Sequence, residues 1–543
     1  MNRGAINIEN RTFDVIVIGA GVNGAGIARD AAMRGLKVLL LDKGDVASGT
    51  SSWSTRLIHG GLRYLEHGEI GLVRESLRER ERLLHIAPHL VKPLPLLIPI
   101  YRRNRRGTLS IRAGMILYDL LSFDKSLSRH RMLSREETLR RTPGLNSEGL
   151  LGAALYCDAQ AEYAERLVLE NVLSALEHGA RALTYARVDR FIIEGERAPC
   201  VEFTDLIAKS VHTARAKVIV NASGPWVDEL LARTGARSPR LIGGTKGSHI
   251  IVDKFSGALA DALYAEAQED GRPFFVIPWN SLYLIGTTDI AYKGELDFVE
   301  AGAPEIDYLL GETNRVIPSA ALSPSSILYT YSGVRPLPHV SDQDTAGITR
   351  RHFIHDHAPE LKGFLSIVGG KFTTYRSLAE EAVNLIFKKL KLRRVKCRTN
   401  QERLPGALTE EFATFSEQFK VESNLPEQVA CRLLRIYGTR ASHIVELASE
   451  DRELLKPFSS LTGAIGAEVI FSFESEMAQT LADCLMRRTM VGLDAAAGLD
   501  AVEGAARIAR KYLGWDEERV RREVRDYREY ILRLHPRELD KSQ

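Results

Sequence analysis

Cysteine is scarce in this chain. The five residues (Cys157, Cys200, Cys397, Cys431 and Cys484) are scattered and never form a C-x-x-C pair. That pattern excludes a disulfide framework and the usual zinc spacings, so no metal site is expected and a reducing compartment is. Long apolar runs are missing too: "PLPLLIPIY" at 93–101, the longest uncharged one in the first third, holds three prolines and is far too short to span a bilayer. The opening "MNRGAINIENRTF" lacks the apolar core of a secretory signal, so none is expected. Neither sign of charge dominates, with 73 basic and 70 acidic side chains and a net charge of +3, which argues against a nucleic-acid binder held by phosphate neutralisation. With 44% hydrophobic and 26% charged residues, the composition suits packed cores under a solvated surface.

At 543 residues the chain exceeds one compact core, and two or three domains are expected. The segment "FDVIVIGAGVNGAGIARDAAMRGLKVLLLD" reads as strand, glycine turn, helix and strand: a β-branched run gives way to Gly19-x-Gly21-x-x-Gly24 and then to helical spacing. Later runs, "AKVIVNASGPW" (216–226) and "GFLSIVGGKFTTYRSLAEEA" (363–382), return to the pattern of buried strand and glycine turn. Such returns predict a discontinuous nucleotide-binding domain over 1–70, 150–235 and 345–393. They leave 71–149 and 236–344 for a sheet-based substrate domain. Beyond 394 the strand signals fade, and 394–543 reads as a helical C-terminal domain. The expected fold class is α/β and α+β: a Rossmann-like FAD-binding domain interleaved with the substrate domain, plus the helical part.

In the first turn Gly19 permits the tight bend, Gly21 lets backbone approach a pyrophosphate, and Gly24 lets helix and strand pack closely. The helix N-terminus offers unpaired N–H groups to phosphate. Asp42 lies 18 residues beyond Gly24, near the spacing of a carboxylate that accepts the adenosine ribose hydroxyls. This fingerprint serves FAD and NAD alike. "ASGTSSWSTRLIHGG" favours FAD, because Thr50, Ser51, Ser52 and the glycines supply small hydroxyl and backbone groups for an extended second half of the cofactor.

The segment "VIGAGVNGAGIARDAAMRGLKVLLLDKGDVASGTSS" followed by "LIHGGLRYLEHGE" resembles the FAD-dependent, quinone-linked glycerol-3-phosphate dehydrogenase family. "NASGPW", "KGSHIIV", "FFVIPW", "LIGTTD", "YSGVRPL", "GITR" and "GGKFTTYR" continue the resemblance in order, densely over residues 12 to 385. It implies a peripheral membrane flavoenzyme on the cytoplasmic face of the inner membrane. Such an enzyme oxidises sn-glycerol 3-phosphate to dihydroxyacetone phosphate by hydride transfer to FAD and passes electrons to membrane quinone. Two departures, Arg56 for a lysine before "LIHGG" and Ser223 for a threonine in "NASGPW", conserve charge and hydroxyl.

A small phosphate dianion with a secondary alcohol needs fixed cations, a proton acceptor and a cofactor held over the carbon. By resemblance Arg63, Arg335 and Arg350 line the substrate pocket, with Tyr64 as a hydroxyl donor and Arg335 among the catalytic groups. Arginine suits the task because its planar fork donates parallel hydrogen bonds and keeps its charge. His59, His249 and Lys371 are the titratable candidates for the proton, and the residues alone do not choose among them. His59 and Lys371 equally suit flavin positioning. Gly60 and Gly61 are expected to clear the flavin ring, and Gly369 and Gly370 to admit its pyrimidine edge.

The stretch 92–121 sets apolar residues beside Arg102, Arg103, Arg105, Arg106 and Arg112, which suits either an interfacial anchor or a loop followed by a core helix. Oligomeric state is left open, a homodimer included. Competing readings are a related FAD-dependent oxidase, or a dehydrogenase of another polyol phosphate or an amine. From another class comes a nucleic-acid-associated flavoprotein using the basic 102–112 run, against which the balanced charge speaks.

Overall fold

The computed structural model describes residues 8, 11–236, 238–340, 350–449 and 451–537. Two sheets organise the chain. The first is built on the strand Thr12–Ile18, whose Val15, Ile16 and Val17 are fully buried, as a parallel strand covered on both faces requires. It pairs in parallel with Val38–Leu41 on one side and Ser210–Asn221 on the other. Phe364–Val368 extends the sheet beyond Ser210–Asn221, and Arg181–Leu183 extends it beyond Val38–Leu41. The helices Val22–Met33, Ala164–Glu177 and Tyr375–Lys389 cover one face, where Ala28, Val172 and Val383 meet in one core.

The second sheet is largely antiparallel. Its centre is Thr245–Val252, flanked by Ile327–Arg335 and Leu282–Gly286, and it continues through Pro273–Trp279 and Ala262–Glu266 to Val91–Tyr101 and Leu150–Ala161. Two expectations change here. Leu150–Ala161, placed by sequence in the nucleotide-binding domain, pairs along its length with Val91–Tyr101 and so belongs to the second sheet, as does the short strand Leu57–Ile58. Over 92–121, read from sequence as an interfacial anchor or a loop before a core helix, residues 93–101 are neither: they belong to an interior strand between Ala262–Glu266 and Leu150–Ala161, and Leu96, Leu97 and Ile100 are buried. The expected boundary between 344 and 345 lies outside the described residues.

From Phe412 to Ile531 the chain is helical. This part packs on both sheets. Asn280 and Tyr329 of the second sheet donate to the Leu493 carbonyl at 2.9 and 2.8 Å. Arg166, on a helix of the first domain, holds Glu476 with both ends fully buried. Among the described residues no helix is long and apolar enough to cross a membrane.

Candidate active site

A cavity of about 940 Å³ runs between the two sheets. It gathers Gly19, Gly21, Asp42, Thr50, Ser51, His59, Gly61, Arg63, Tyr64, His249, Arg335, Arg350, Gly369, Gly370 and Lys371 into one wall. Gly24, Ser52 and Gly60 stand outside it.

At one end the first strand turns into helix Val22–Met33. Gly19 has φ +107°, and a Cβ there would lie 2.5 Å from the Ala222 carbonyl. At Gly24 a Cβ would lie 1.8 Å from the Gly19 oxygen, so Gly24 serves the packing of helix on turn. The helix has no side-chain cap at Gly21 and no acidic residue in its first turn, which leaves its positive end open to an anion. Ser51 Oγ accepts from the Val22 amide at 3.0 Å and holds the 44–52 loop against this end. Asp42 accepts from the Ala20 and Gly44 amides at 2.5 and 2.8 Å, and burial raises its pKa. Ser52, expected at the cofactor, instead donates to the Ala47 carbonyl at 2.6 Å and braces the loop from within.

At the other end two arginines share one carboxylate. Arg335, the last residue of its strand, donates to Asp289 Oδ1 at 3.1 Å, to Thr287 Oγ1 at 2.9 Å and to the Thr288 carbonyl at 3.2 Å. Arg350 donates to Asp289 Oδ2 at 2.8 Å, while its Nη1 is buried without a protein partner. Burial lowers Arg335 to about 10, with Asp289 opposing the shift. Burial also works to raise Asp289, yet Arg335 and then Arg350 hold it below the ordinary carboxylate value. Gly247 makes room for this fork, since a Cβ there would lie 2.1 Å from Arg335 Nη2.

Between these ends stand the proton-carrying candidates. Lys371 Nζ donates to Ser76 Oγ at 2.9 Å and to the His59 and Gly60 carbonyls at 3.3 Å, and lies 4.7 Å from the centre of the Tyr64 ring. Burial lowers Lys371 to about 7, against the pull of Asp158. His59 is pushed down to about 3 by burial and then by Lys371, so it is neutral at physiological pH. His249 shares a hydrogen bond of 3.0 Å with Thr55 Oγ1, and burial followed by Arg335 lowers it well below the ordinary histidine value. Its Nδ1 is buried and unpartnered.

The sequence pattern of FAD dependent oxidoreductases matches residues 14–376, and that of the C-terminal domain of alpha-glycerophosphate oxidase matches 397–520. A glycerol-3-phosphate dehydrogenase of Synechocystis is 46% identical over 538 residues, 96% of this chain and 97% of that protein. The chain belongs to the FAD-dependent glycerol-3-phosphate dehydrogenase family. Glycerol-3-phosphate dehydrogenase 2 of Mycobacterium tuberculosis is 37% identical over 95% of this chain and 87% of its own. The Bacillus halodurans glycerol-3-phosphate dehydrogenase, solved with FAD, superposes with a TM-score of 0.79 at 28% identity, covering 97% of this chain and 96% of that one.

The cofactor of this glycerol-3-phosphate dehydrogenase family member is FAD, and the cavity's chemistry fits it. The helix end, with its Val22 amide taken by Ser51 and no acidic residue in its first turn, suits a pyrophosphate, the Asp42 carboxylate suits ribose hydroxyls, and Asn23 Oδ1 is a buried acceptor without a protein partner at the late glycine pair. Gly369 and Gly370 have φ of +73° and +101°, and Asn23 Nδ2 donates to the Gly369 carbonyl at 3.3 Å. Of the first glycine pair Gly61 lines the cavity and Gly60 does not. A Cβ on Gly60 would meet the Tyr118 hydroxyl at 2.5 Å, and one on Gly61 the Tyr64 ring at 2.1 Å.

Sequence reading passed over two groups. Asp289 stood in a matched motif without a role, because its partners lie 46 and 61 residues away. The C-terminal Arg487, Tyr530 and Arg533 also line the cavity, and only the fold brings them there.

Proposed function

We propose that the protein oxidises sn-glycerol 3-phosphate to dihydroxyacetone phosphate and delivers the electrons to a quinone at the cytoplasmic face of the inner membrane. The observation that carries the substrate is the pair Arg335 and Arg350, held by the two oxygens of Asp289, with Arg350 Nη1 left to donate. Two guanidinium forks beside a phenol suit a phosphate dianion better than the single carboxylate of an amino acid. FAD, when bound, takes the C2 hydrogen and two electrons of the alcohol. Lys371 accepts the hydroxyl proton at Nζ: it is the one candidate whose pKa of about 7 leaves it both basic and substantially neutral at the working pH. His59 and His249 act as neutral groups that shape the pocket. Tyr64 closes it beside Lys371.

The membrane part of the proposal rests on helix Thr108–Leu121 and the residues that follow it. Leu109 and Leu120 are 83% and 65% exposed and Phe123 79%, and Ile116 shares their side of the helix. Arg102, Arg103, Arg105 and Arg112 are exposed beside them, which suits insertion among anionic headgroups. A lipid-soluble quinone is then met at the surface where the protein docks.

The test is anaerobic addition of sn-glycerol 3-phosphate to the purified yellow protein. Loss of flavin absorbance that glycerol does not cause, reversed by a quinone analogue, is the expected result. Flavin that stays oxidised would overturn the substrate, and reoxidation by oxygen but not quinone would overturn the acceptor. Co-sedimentation with anionic vesicles, lost in Leu109→Asp/Leu120→Asp, tests the surface.

A further inference from the structure

The loop 44–52 is the only stretch that touches both the helix end at Gly21 and Asp42, through Ser51 and Gly44, among the hydrogen bonds of the described residues around that end. At its root stands Asp45, fully buried. Arg488 grips Asp45 through both terminal nitrogens, at 2.5 and 2.7 Å, and Arg487 Nε adds a third bond at 2.6 Å. Both arginines come from the helical C-terminal domain. Arg487 also holds Asp483 at 2.6 Å, and Tyr185 donates to the same Asp483 oxygen at 2.7 Å. The Tyr185 amide returns to the Gly44 carbonyl at 2.9 Å, so the circuit closes on the loop.

Two carboxylates and two guanidiniums thus form a buried cluster with no net charge. Such a cluster gains little stability over apolar packing, and its best-attested use is to fix one arrangement of the elements that carry the charges. Here those elements are the cofactor loop and the C-terminal domain. The domain is also part of the wall itself, since Arg487, Tyr530 and Arg533 line the cavity. Tyr530 is held there by Arg487 Nη1 at 3.1 Å.

We propose that the helical C-terminal domain is the lock on the adenosine and pyrophosphate half of FAD, and that it acts through Asp45, a positioning residue for the 44–52 loop. The cluster does not reach the substrate end: none of Arg335, Arg350, Asp289 or Lys371 bonds to it, and the loop's own tie to that end is a separate one, from Thr50 Oγ1 to the Val334 carbonyl at 2.8 Å. Loosening the lock therefore releases cofactor without altering recognition of substrate by the enzyme that still holds it. The inference rests on FAD occupying the cavity, which the yellow colour of the wild-type protein tests on its own.

The experiment compares full-length wild type with Asp45→Asn and Arg488→Lys. FAD release is followed by the recovery of flavin fluorescence on dilution, and hydrogen exchange of residues 44–52 is followed in the same samples. The expected result is release accelerated by about tenfold or more, as loss of a charge-assisted bond implies. The 44–52 amides should lose protection, and KM for sn-glycerol 3-phosphate in excess FAD should stay within about twofold of wild type. A merely structural role would lower the unfolding temperature and leave the release rate of the folded holoenzyme unchanged, which overturns the proposal. Arg488→Lys keeps the charge and shortens the fork, so it supplies a folded variant if Asp45→Asn does not. Unchanged release in that variant, with one bond to Asp45 lost, likewise overturns it.

Discussion

Gly60 donates its backbone N–H to the Tyr118 hydroxyl at 2.9 Å, and Tyr118 in turn donates to Asp158 at 2.7 Å. Asp158 is held from its other side by Arg80 at 2.5 Å, and the Gly60 carbonyl is one of the acceptors around Lys371 Nζ. Tyr118 lies on the helix whose outer face carries Leu109 and Leu120. Tyr118→Phe strands the Gly60 amide and removes a donor from a buried carboxylate. A loss of about 1–3 kcal/mol in stability is expected, with a lower turnover as the seat of Lys371 loosens. Thermal unfolding of the holoenzyme and steady-state kcat check it, and an unchanged value of both refutes the chain of contacts.

The pH dependence follows from Lys371. The base must be neutral to accept a proton, and with a pKa of about 7 it becomes protonated as pH falls through that value. The rate of flavin reduction at limiting substrate should therefore fall about tenfold per pH unit below 7. His59, at about 3, adds no further limb between pH 5 and 7, and burial followed by Arg335 lowers His249 in the same direction. In Lys371→Met the limb should vanish and the reduction step slow by about 10²–10⁴-fold. A limb that survives this substitution belongs to another group, the substrate phosphate first among them.

Arg350→Lys keeps the charge and loses the fork. A single ammonium lacks the planar fork that puts Nη2 on Asp289 and leaves Nη1 aimed elsewhere, so kcat/KM for the phosphate substrate should drop by about 10–100-fold, most of it in KM. Asp289→Asn should be worse for turnover than for FAD binding, because it releases both arginines from their common carboxylate and leaves the cofactor end untouched. Stopped-flow reduction and flavin titration separate the two effects.

Gly24→Ala places a methyl 1.8 Å from the Gly19 oxygen. The turn and helix cannot both keep their places, so the purified variant should be colourless or insoluble. Soluble protein with a full complement of flavin would show that the turn yields more than its packing suggests.

Much of the cofactor end was legible in the sequence because its determinants are local. A β-branched strand, three glycines at fixed spacing and an acid at the end of the next strand lie within thirty-odd residues of one another. The substrate end was legible only through ordered motifs shared with a family, since Arg63, Arg335 and Arg350 taken singly look like any surface arginine. Asp289 had no visible role because a carboxylate between two guanidiniums is a tertiary relationship. Gly60 and Gly61 show the opposite difficulty: the sequence marked them as places where a side chain is barred, and only the fold says that Tyr118 and Tyr64 bar it. The strand Leu150–Ala161 was assigned to the wrong sheet because its partner, Val91–Tyr101, is far away and rich in proline.

The Asp45–Arg488 contact joins residues 443 positions apart. On a ribosome the flavin cradle can be built once Gly370 has emerged, but its bolt arrives only when Arg487 and Arg488 follow. A chain cut short before Arg487 would leave the cradle open, and colour retained through purification would then report that the chain had been made past Arg488.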